Sequence, residues 1–360
     1  MATPLLQFND SGIYCEAGNF YIDPWKPVDD AVITHAHSDH ARWGNKRYLA
    51  HDLSREVLKY RLGAGIQIQT VAYGERILKN GVLISFHPAG HIIGSAQIRV
   101  EYKGEVWVVS GDYKLENDGI STPFEPVKCH TFISECTFGM PVYKWKDPPL
   151  VHQDINNWWK QNAEEGKATV IAGYSLGKAQ RIIQHLDLSI GKIFLHGAIA
   201  NTHDALERNG IELPFASRIT PEINKEDIKK GIIICPPSAL GSPWLRRFQP
   251  YGFGYCSGWM ALRGAKRRMA ADRGFVLSDH ADWEGLIRAI DATECECVRL
   301  THGYTASFAR YLSERGYNAH EAHTNYGGDE ATDEDVLPVD VVNEEGEVIE
   351  ASNKEGGEDL

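Results

Sequence analysis

The chain has 360 residues, 42% of them hydrophobic and nine of them Trp, which is ample for a core and long enough for two domains or one large domain carrying an insertion. No apolar run approaches the ~20 residues of a membrane span, and Met1-Ala2-Thr3-Pro4 lacks the basic and apolar regions of a signal peptide. The net charge of −12 is local: thirteen acids and one Lys fall between Asp329 and Leu360, leaving residues 1–328 with 36 charges of each sign. A folded part that is neutral overall must draw any nucleic-acid affinity from a local basic surface and from metal. The acidic segment is poor in aromatics, so 327–360 is expected to be a disordered tail. The seven Cys include no Cys-x-x-Cys pair, and Cys295 and Cys297 are too close in sequence for a structural disulfide, so a cytoplasmic location is expected.

Phe20-Tyr21-Ile22 reads as a strand ending at Asp23 and stopped by Pro24. Ala31–Thr34 reads as the next strand and runs into His35-Ala36-His37-Ser38-Asp39-His40, three His and one Asp within six residues. A strand followed by a tight loop throws all four side chains into one small volume, and imidazole and carboxylate are the usual ligands of zinc and related divalent ions. Asp39-His40-Ala41-Arg42 opens a turn or helix, and Ser54–Leu62 reads as a helix with Ser54 as its N-cap. Val82–Phe86 is a strand leading to His91. Ala96–Tyr102 and Val106–Ser110 are strands joined at a Lys103-Gly104 hairpin turn, the second ending in Gly111-Asp112. Thr131–Ser134 is a strand ending at Glu135.

The pattern then changes. Asp154–Glu165 reads as a helix, Ala168–Ala172 as a strand, and Gly173–Lys178 as a Gly-rich turn into a helix over Ala179–Leu186. With short buried strands at Ile193–Leu195 and Ile232–Ile234, this alternation predicts a small parallel α/β unit. Gly274–Leu277 is a strand ending at Asp279-His280, and Val298–Leu300 one ending at His302. Polar, ligand-type residues thus recur just past strand ends, where layered α/β folds build their sites. One workable assignment puts His35, His37 and His91 on a first metal and Asp39, His40 and His302 on a second, with Asp112 bridging. Two metals ~3.5–4 Å apart can clamp a phosphate and stabilise both the attacking and the leaving oxygen.

His35-x-His37-x-Asp39-His40, with His91 and Asp112 at later strand ends, resembles the metallo-β-lactamase fold. Glu135 in Ser134-Glu135-Cys136-Thr137-Phe138-Gly139, His280 in Ser278-Asp279-His280-Ala281-Asp282, and Thr301-His302-Gly303 resemble the additional motifs of its β-CASP nuclease branch. Gly173-Tyr174-Ser175-Leu176-Gly177-Lys178-Ala179-Gln180 resembles the start of that branch's inserted domain. Within the branch, Phe20–Trp25, Ser110–Glu116 and Arg273–Trp283 are similar to the bacterial ligase-associated DNA damage response exonucleases. The resemblance implies an α/β fold, a metallo-β-lactamase αββα sandwich over 1–168 and 271–326 with a β-CASP α/β domain inserted at 169–270. It implies two divalent ions, Zn or Mn, and a hydrolase that cuts phosphodiesters. Asp39, Asp112, Glu135 and His280 would be catalytic. Asp23 would support a ligand histidine, His280 would give a proton to the leaving 3′-oxygen or bind a phosphate oxygen, and Glu135 would orient His280 and keep it protonated.

Phosphate contacts beyond the metals are expected in three places. The Gly173–Lys178 turn, with Ser175 and Lys178, presents backbone N–H groups at a helix start, although its spacing is not that of a Walker A loop. Trp244, Arg246 and Arg247 combine a stacking ring with two cations, and Arg263, Lys266, Arg267 and Arg268 form the densest basic run. The implied activity is a DNA exonuclease acting from the 5′ end on single strands in DNA repair, functionally associated with a DNA ligase and helicase. The alternative is an RNA-processing ribonuclease of the same branch, favoured by His302, where RNA-type members carry His and eukaryotic DNA-type members Val. A catalytically dead scaffold is disfavoured because no ligand is missing. A small-molecule hydrolase is disfavoured by the α/β unit and its basic run.

Overall fold

The computed structural model describes residues 4–262, 264–322 and 324, with the pairs 341–342 and 348–349. The chain first lays down β1 (Gln7–Asn9), β2 (Gly12–Cys15), β3 (Phe20–Ile22), β4 (Asp30–Val32), β5 (Arg47–His51) and β6 (Ile68–Val71), which form one sheet in sequential order. A second sheet begins with β7 (Arg76–Lys79), β8 (Val82–Pro88), β9 (Ala96–Tyr102), β10 (Glu105–Val109) and β11 (Thr131–Cys136). Val82, Ile84 and Phe86 on β8 and Ala96, Ile98 and Val100 on β9 alternate inward with the two-residue period of a strand. They meet Phe20, Ile22 and Val32 of the first sheet in one buried cluster, so the two sheets share a core. The β9–β10 hairpin turns on Lys103 and Gly104, at φ 50° and 87°, the positive-φ pair that matches strand twist.

The chain then leaves the second sheet. It builds a third sheet from β12 (Ala168–Ala172), β13 (Ile193–Leu195), β14 (Ser217–Arg218), β15 (Ile232–Cys235), β16 (Tyr251–Cys256) and β17 (Arg273–Phe275), in the order β14-β13-β15-β12-β16-β17. Every pairing in it is parallel, as the strand–helix alternation predicts. It reaches from Ala168 to Phe275, past the expected limit of 270, because β17 pairs with β16. β18 (Cys297–Gly303) and β19 (Asn318–Glu321) then return to the second sheet, β18 lying parallel beside β11. The third sheet is thus an inserted unit between β11 and β18. Helices Trp283–Thr293 and Thr305–Glu314 pack on the far face of the second sheet through Leu286, Ile290, Phe308 and Leu312. Helix Arg55–Leu62 covers the first sheet through Val57, Leu58 and Leu62.

Several boundaries differ from the sequence expectations. Ser54 is not a side-chain N-cap: its hydroxyl donates to the Gly94 carbonyl at 3.0 Å, and His51 Nδ1 accepts from Leu53 N instead. The helix expected from Asp154 starts at Pro148, where a missing N–H costs nothing in the first turn. The segment expected to be a disordered tail lies almost wholly outside the described residues; Val341–Val342 and Val348–Ile349 within it pair antiparallel. No disulfide joins the described cysteines, and no helix among the described residues is long and apolar enough to cross a membrane.

Candidate metal centre

Past β4 the chain stays extended. Ile33 N donates to Leu49 O at 2.8 Å and Ala96 N to Thr34 O at 2.8 Å, strapping the His-rich loop to both sheets. A turn closed by Ala41 N to His37 O, at 2.8 Å, then folds Asp39 and His40 back beside His35. His91 and Asp112 each follow a glycine in the left-handed region, Gly90 at φ 75° and Gly111 at 56°. A Cβ at Gly111 would stand 2.7 Å from Thr34, and one at Gly90 would run into the Lys114 carbonyl. Gly111→Ala is therefore expected to destabilise the fold by at least about 1–2 kcal/mol and to weaken metal binding. Thermal melts with and without added metal check this; an unchanged melting temperature would refute it.

The expected ligands converge. His35, His37, His91 and Asp112 have ligand atoms within 4.8 Å of one another, as do His40, Asp112 and His302, and His35, Asp39 and His40. Asp112 Oδ2 stands between the groups, 3.5 Å from His35 Nε2, 3.6 Å from His40 Nε2 and 3.7 Å from His91 Nε2. Asp39 Oδ2 is 3.3 Å from His40 Nε2 and 3.7 Å from His302 Nε2.

Each histidine is held from outside through its other nitrogen. His40 Nδ1 meets Asp23 Oδ2 at 2.7 Å, His91 Nδ1 the Asp279 carbonyl at 2.7 Å, and His37 Nε2 the Leu176 carbonyl at 3.1 Å. Thr34 Oγ1 donates to Asp23 at 2.5 Å and accepts from His35 Nδ1 at 3.1 Å, and His302 Nδ1 lies 3.3 Å from Thr301 Oγ1. Such outer bonds fix the tautomer, so that a lone pair on each ring faces inward. Asp23 (φ 43°) and His302 (φ 55°) hold left-handed backbone without being glycine, the kind of strain that collects at functional sites.

Titration fits the same picture. Burial holds His35 and His91 well below the ordinary imidazole range, with neighbouring imidazoles adding to it, and burial takes His37 down to about 4. Neutral imidazole is the form that binds metal. For His40 burial acts downward, but Asp39, Asp112 and Asp23 outweigh it and raise it well above the usual value. Burial pushes Asp112 up to about 6, with His40 opposing and Glu135 reinforcing. His35 Nε2, Asp39 Oδ1 and Asp112 Oδ1 are buried with no hydrogen-bond partner among the described residues. Buried polar atoms rarely go unsatisfied, and this nitrogen-and-carboxylate set fits divalent cations.

Glu135 is buried. It accepts from Tyr113 N at 2.8 Å and Thr137 Oγ1 at 2.5 Å, and it faces His280 Nδ1 at 2.9 Å. Burial would lower the His280 pKa, but Glu135 and Asp112 outweigh it and raise it to about 10. Its ring is tilted by 54° to that of His91, the centroids 4.7 Å apart.

No family model matches the chain. It is 30% identical over 311 residues to a "Probable DNA ligase" of Opitutus terrae, an alignment covering 86% of this chain and 30% of that one. It is 29% identical over 126 residues to "Cleavage and polyadenylation specificity factor subunit 3" of Dictyostelium discoideum (34% of this chain, 16% of that one). It is 23% identical over 202 residues to an "RNase J-like protein" of Methanocaldococcus jannaschii (48% and 47%). The chain thus spans less than half the length of each of these relatives. A crystal structure of a protein of unknown function from Enterococcus faecalis V583 shares the fold at a TM-score of 0.56 and 14% identity, over 83% of this chain and 80% of that one. The relatives' names are those of a DNA ligase, a cleavage and polyadenylation factor and an RNase-like protein, all proteins that act on nucleic acids.

The expected nucleic-acid contacts are more scattered than the metal ligands. Lys178 and Ser175 are buried, and the Lys178 ammonium lies 2.7 Å from Asp279 rather than facing solvent. The Gly177 N–H at the start of helix Lys178–Gln184 is taken by Gln180 Oε1 at 2.7 Å. Trp244 is half-buried in T-shaped contacts with Phe248 and His196, with the Arg247 guanidinium 5.4 Å from its ring. Arg246 and Arg247 are exposed, as are Lys266, Arg267 and Arg268 on the short helix Ala265–Arg268. Arg263 lies outside the described residues. Thr34, Asp279, Arg181 and the Leu176 carbonyl support the centre and were not expected. Asp279 adjoins a motif residue and was open to sequence reasoning; a backbone carbonyl has no residue signature.

Proposed function

We propose that this protein is a two-metal phosphodiester hydrolase, specifically a DNA exonuclease acting from the 5′ end of single strands in DNA repair. The observation that carries the reading is the placement of Asp112 within 3.5–3.7 Å of His35, His40 and His91, a carboxylate between two sets of imidazoles. His35, His37 and His91 would hold one ion and Asp39, His40 and His302 the other, with Asp112 shared. Divalent ions bound there supply Lewis acidity toward phosphoryl oxygens and acidify water. The chain's own groups do the rest. The outer hydrogen bonds keep the ligand rings in register, and Glu135 fixes His280 through Nδ1. His280 then carries at Nε2 a proton for the departing 3′-oxygen.

The long alignment with a relative named as a DNA ligase supports DNA as the substrate and association with a ligase. A second reading, an RNA-processing ribonuclease, is supported by His302 and by relatives named as an RNase J-like protein and as endoribonucleases. End-labelled DNA and RNA strands of matched sequence, digested with zinc, manganese or magnesium, separate the two. Mononucleotide release from 5′-labelled DNA is expected; faster cleavage of RNA would replace the first reading with the second.

A further inference from the structure

Two ligand histidines are held from outside by backbone carbonyls at the two ends of the inserted unit. His37 Nε2 donates to the Leu176 carbonyl and His91 Nδ1 to the Asp279 carbonyl, leaving His37 Nδ1 and His91 Nε2 turned to one another 3.1 Å apart. Leu176 lies in the turn after β12 that opens helix Lys178–Gln184, and Asp279 lies in the segment leaving β17. The two ends are tied together. Lys178 Nζ is 2.7 Å from Asp279 Oδ2, and Arg181 lies 3.5 Å from Asp279 Oδ1 and donates to the Ser278 carbonyl. All four of these residues are buried, at 3–4% exposure. The remaining ligands draw on other supports: His35 and His40 on Thr34 and Asp23 beside the first sheet, and His302 on Thr301 of β18.

A buried ion pair is weak evidence for stability, because desolvating both charges offsets most of their attraction and apolar replacements are often neutral. What this pair does by geometry is fix the spacing of two carbonyls that are distant in sequence and adjacent in space. We propose that Lys178 and Asp279 are positioning residues whose pair clamps the Leu176 and Asp279 carbonyls onto His37 and His91. The ion held by His35, His37 and His91 therefore depends on the inserted unit, and the ion held by Asp39, His40 and His302 does not. A strand pulling on the inserted unit would be felt at one ion before the other. The inference rests on the two-metal reading above.

The test is a manganese titration of the metal-stripped full chain, by calorimetry with bound metal counted by mass spectrometry. Wild-type protein is expected to take two equivalents. Lys178→Met is expected to keep one at wild-type affinity and to bind the other about 10–100-fold more weakly, the usual effect of losing an outer partner of a ligand. Lys178→Met leaves the buried Asp279 carboxylate with Arg181 alone, so the double variant Lys178→Met/Asp279→Asn, which removes both members of the pair and leaves Arg181 its bond to the Ser278 carbonyl, is measured beside it and should show the same split. Two equivalents at unchanged affinity in the folded double variant would overturn the clamp, and so would equal weakening of both. Fewer than two equivalents in the wild type would overturn the two-metal reading itself, and the clamp with it.

Discussion

Asp112→Ala is expected to abolish hydrolysis, a fall in kcat of more than about 10³-fold, the upper end of what removing one electrostatic stabiliser costs. The size follows from position. Asp112 Oδ2 approaches His35, His40 and His91 within 3.7 Å, so its loss opens both proposed ligand sets at once. Collapse of the fold is a separate outcome, and the pH dependence of stability tells them apart. Asp112 has its folded pKa raised from 3.8 to about 6, chiefly by burial. A carboxyl raised in the folded state favours folding below its unfolded pKa and loses that contribution as pH rises through the folded one. At pH 8 without metal the wild type therefore carries an unfavourable buried charge that Asp112→Asn lacks. The metal-free variant should melt at or above the metal-free wild type, while gaining far less from added manganese. Full activity of Asp112→Ala in metal-replete buffer would refute the bridging position.

The sequence marked this centre because its ligands come from residue types with few other reasons to cluster, and because each follows an apolar strand. Asp23, His35–His40, His91, Asp112, Glu135, His280 and His302 are scattered over most of the chain, yet the structure brings them together, since β3, β4, β8, β10, β11 and β18 end toward one place. The parallel order of the inserted unit was legible for the same reason: fully apolar runs such as Ile232–Ile234 need cover on both faces. Lys178 shows what local pattern leaves open: a lysine after a glycine-rich turn has two physical outcomes, an exposed phosphate contact or a buried ion pair. The choice is made by Asp279, far along the chain and invisible to local pattern. Trp244 is similar: its neighbour His196 comes from the packing of the inserted unit, not from its own segment. Ser54 lost its capping role to the long-range contact with Gly94.

His280→Ala should separate chemistry from metal binding. His280 Nδ1 is engaged by both carboxylate oxygens of Glu135, at 3.0 and 2.9 Å, and its ring is 23% exposed; with Asp112 and Glu135 it also forms a cluster of ligand-type atoms within 4.8 Å, so the variant decides between acid and ligand. Two equivalents of manganese should still bind, while kcat on a DNA strand falls about 10²–10⁴-fold, the range for losing a general acid. A phosphodiester with a nitrophenolate leaving group needs no proton on departure and should lose much less. Glu135→Gln tests the same proton by another route. The His280 pKa is raised to about 10, with burial opposed chiefly by Glu135 and then by Asp112. An ion held by Asp112 would take that second carboxylate out of the balance and, being a cation, would itself draw the His280 pKa down, so Glu135 would be the main group keeping the proton in place. An acid must hold its proton, so activity should persist below the folded pKa and fall as pH rises through it. Replacing Glu135 by Gln lowers that pKa, and the alkaline limb of kcat should move down by about one to three pH units. An unmoved limb would mean that His280 is not the acid, and loss of metal from His280→Ala would make it a ligand instead.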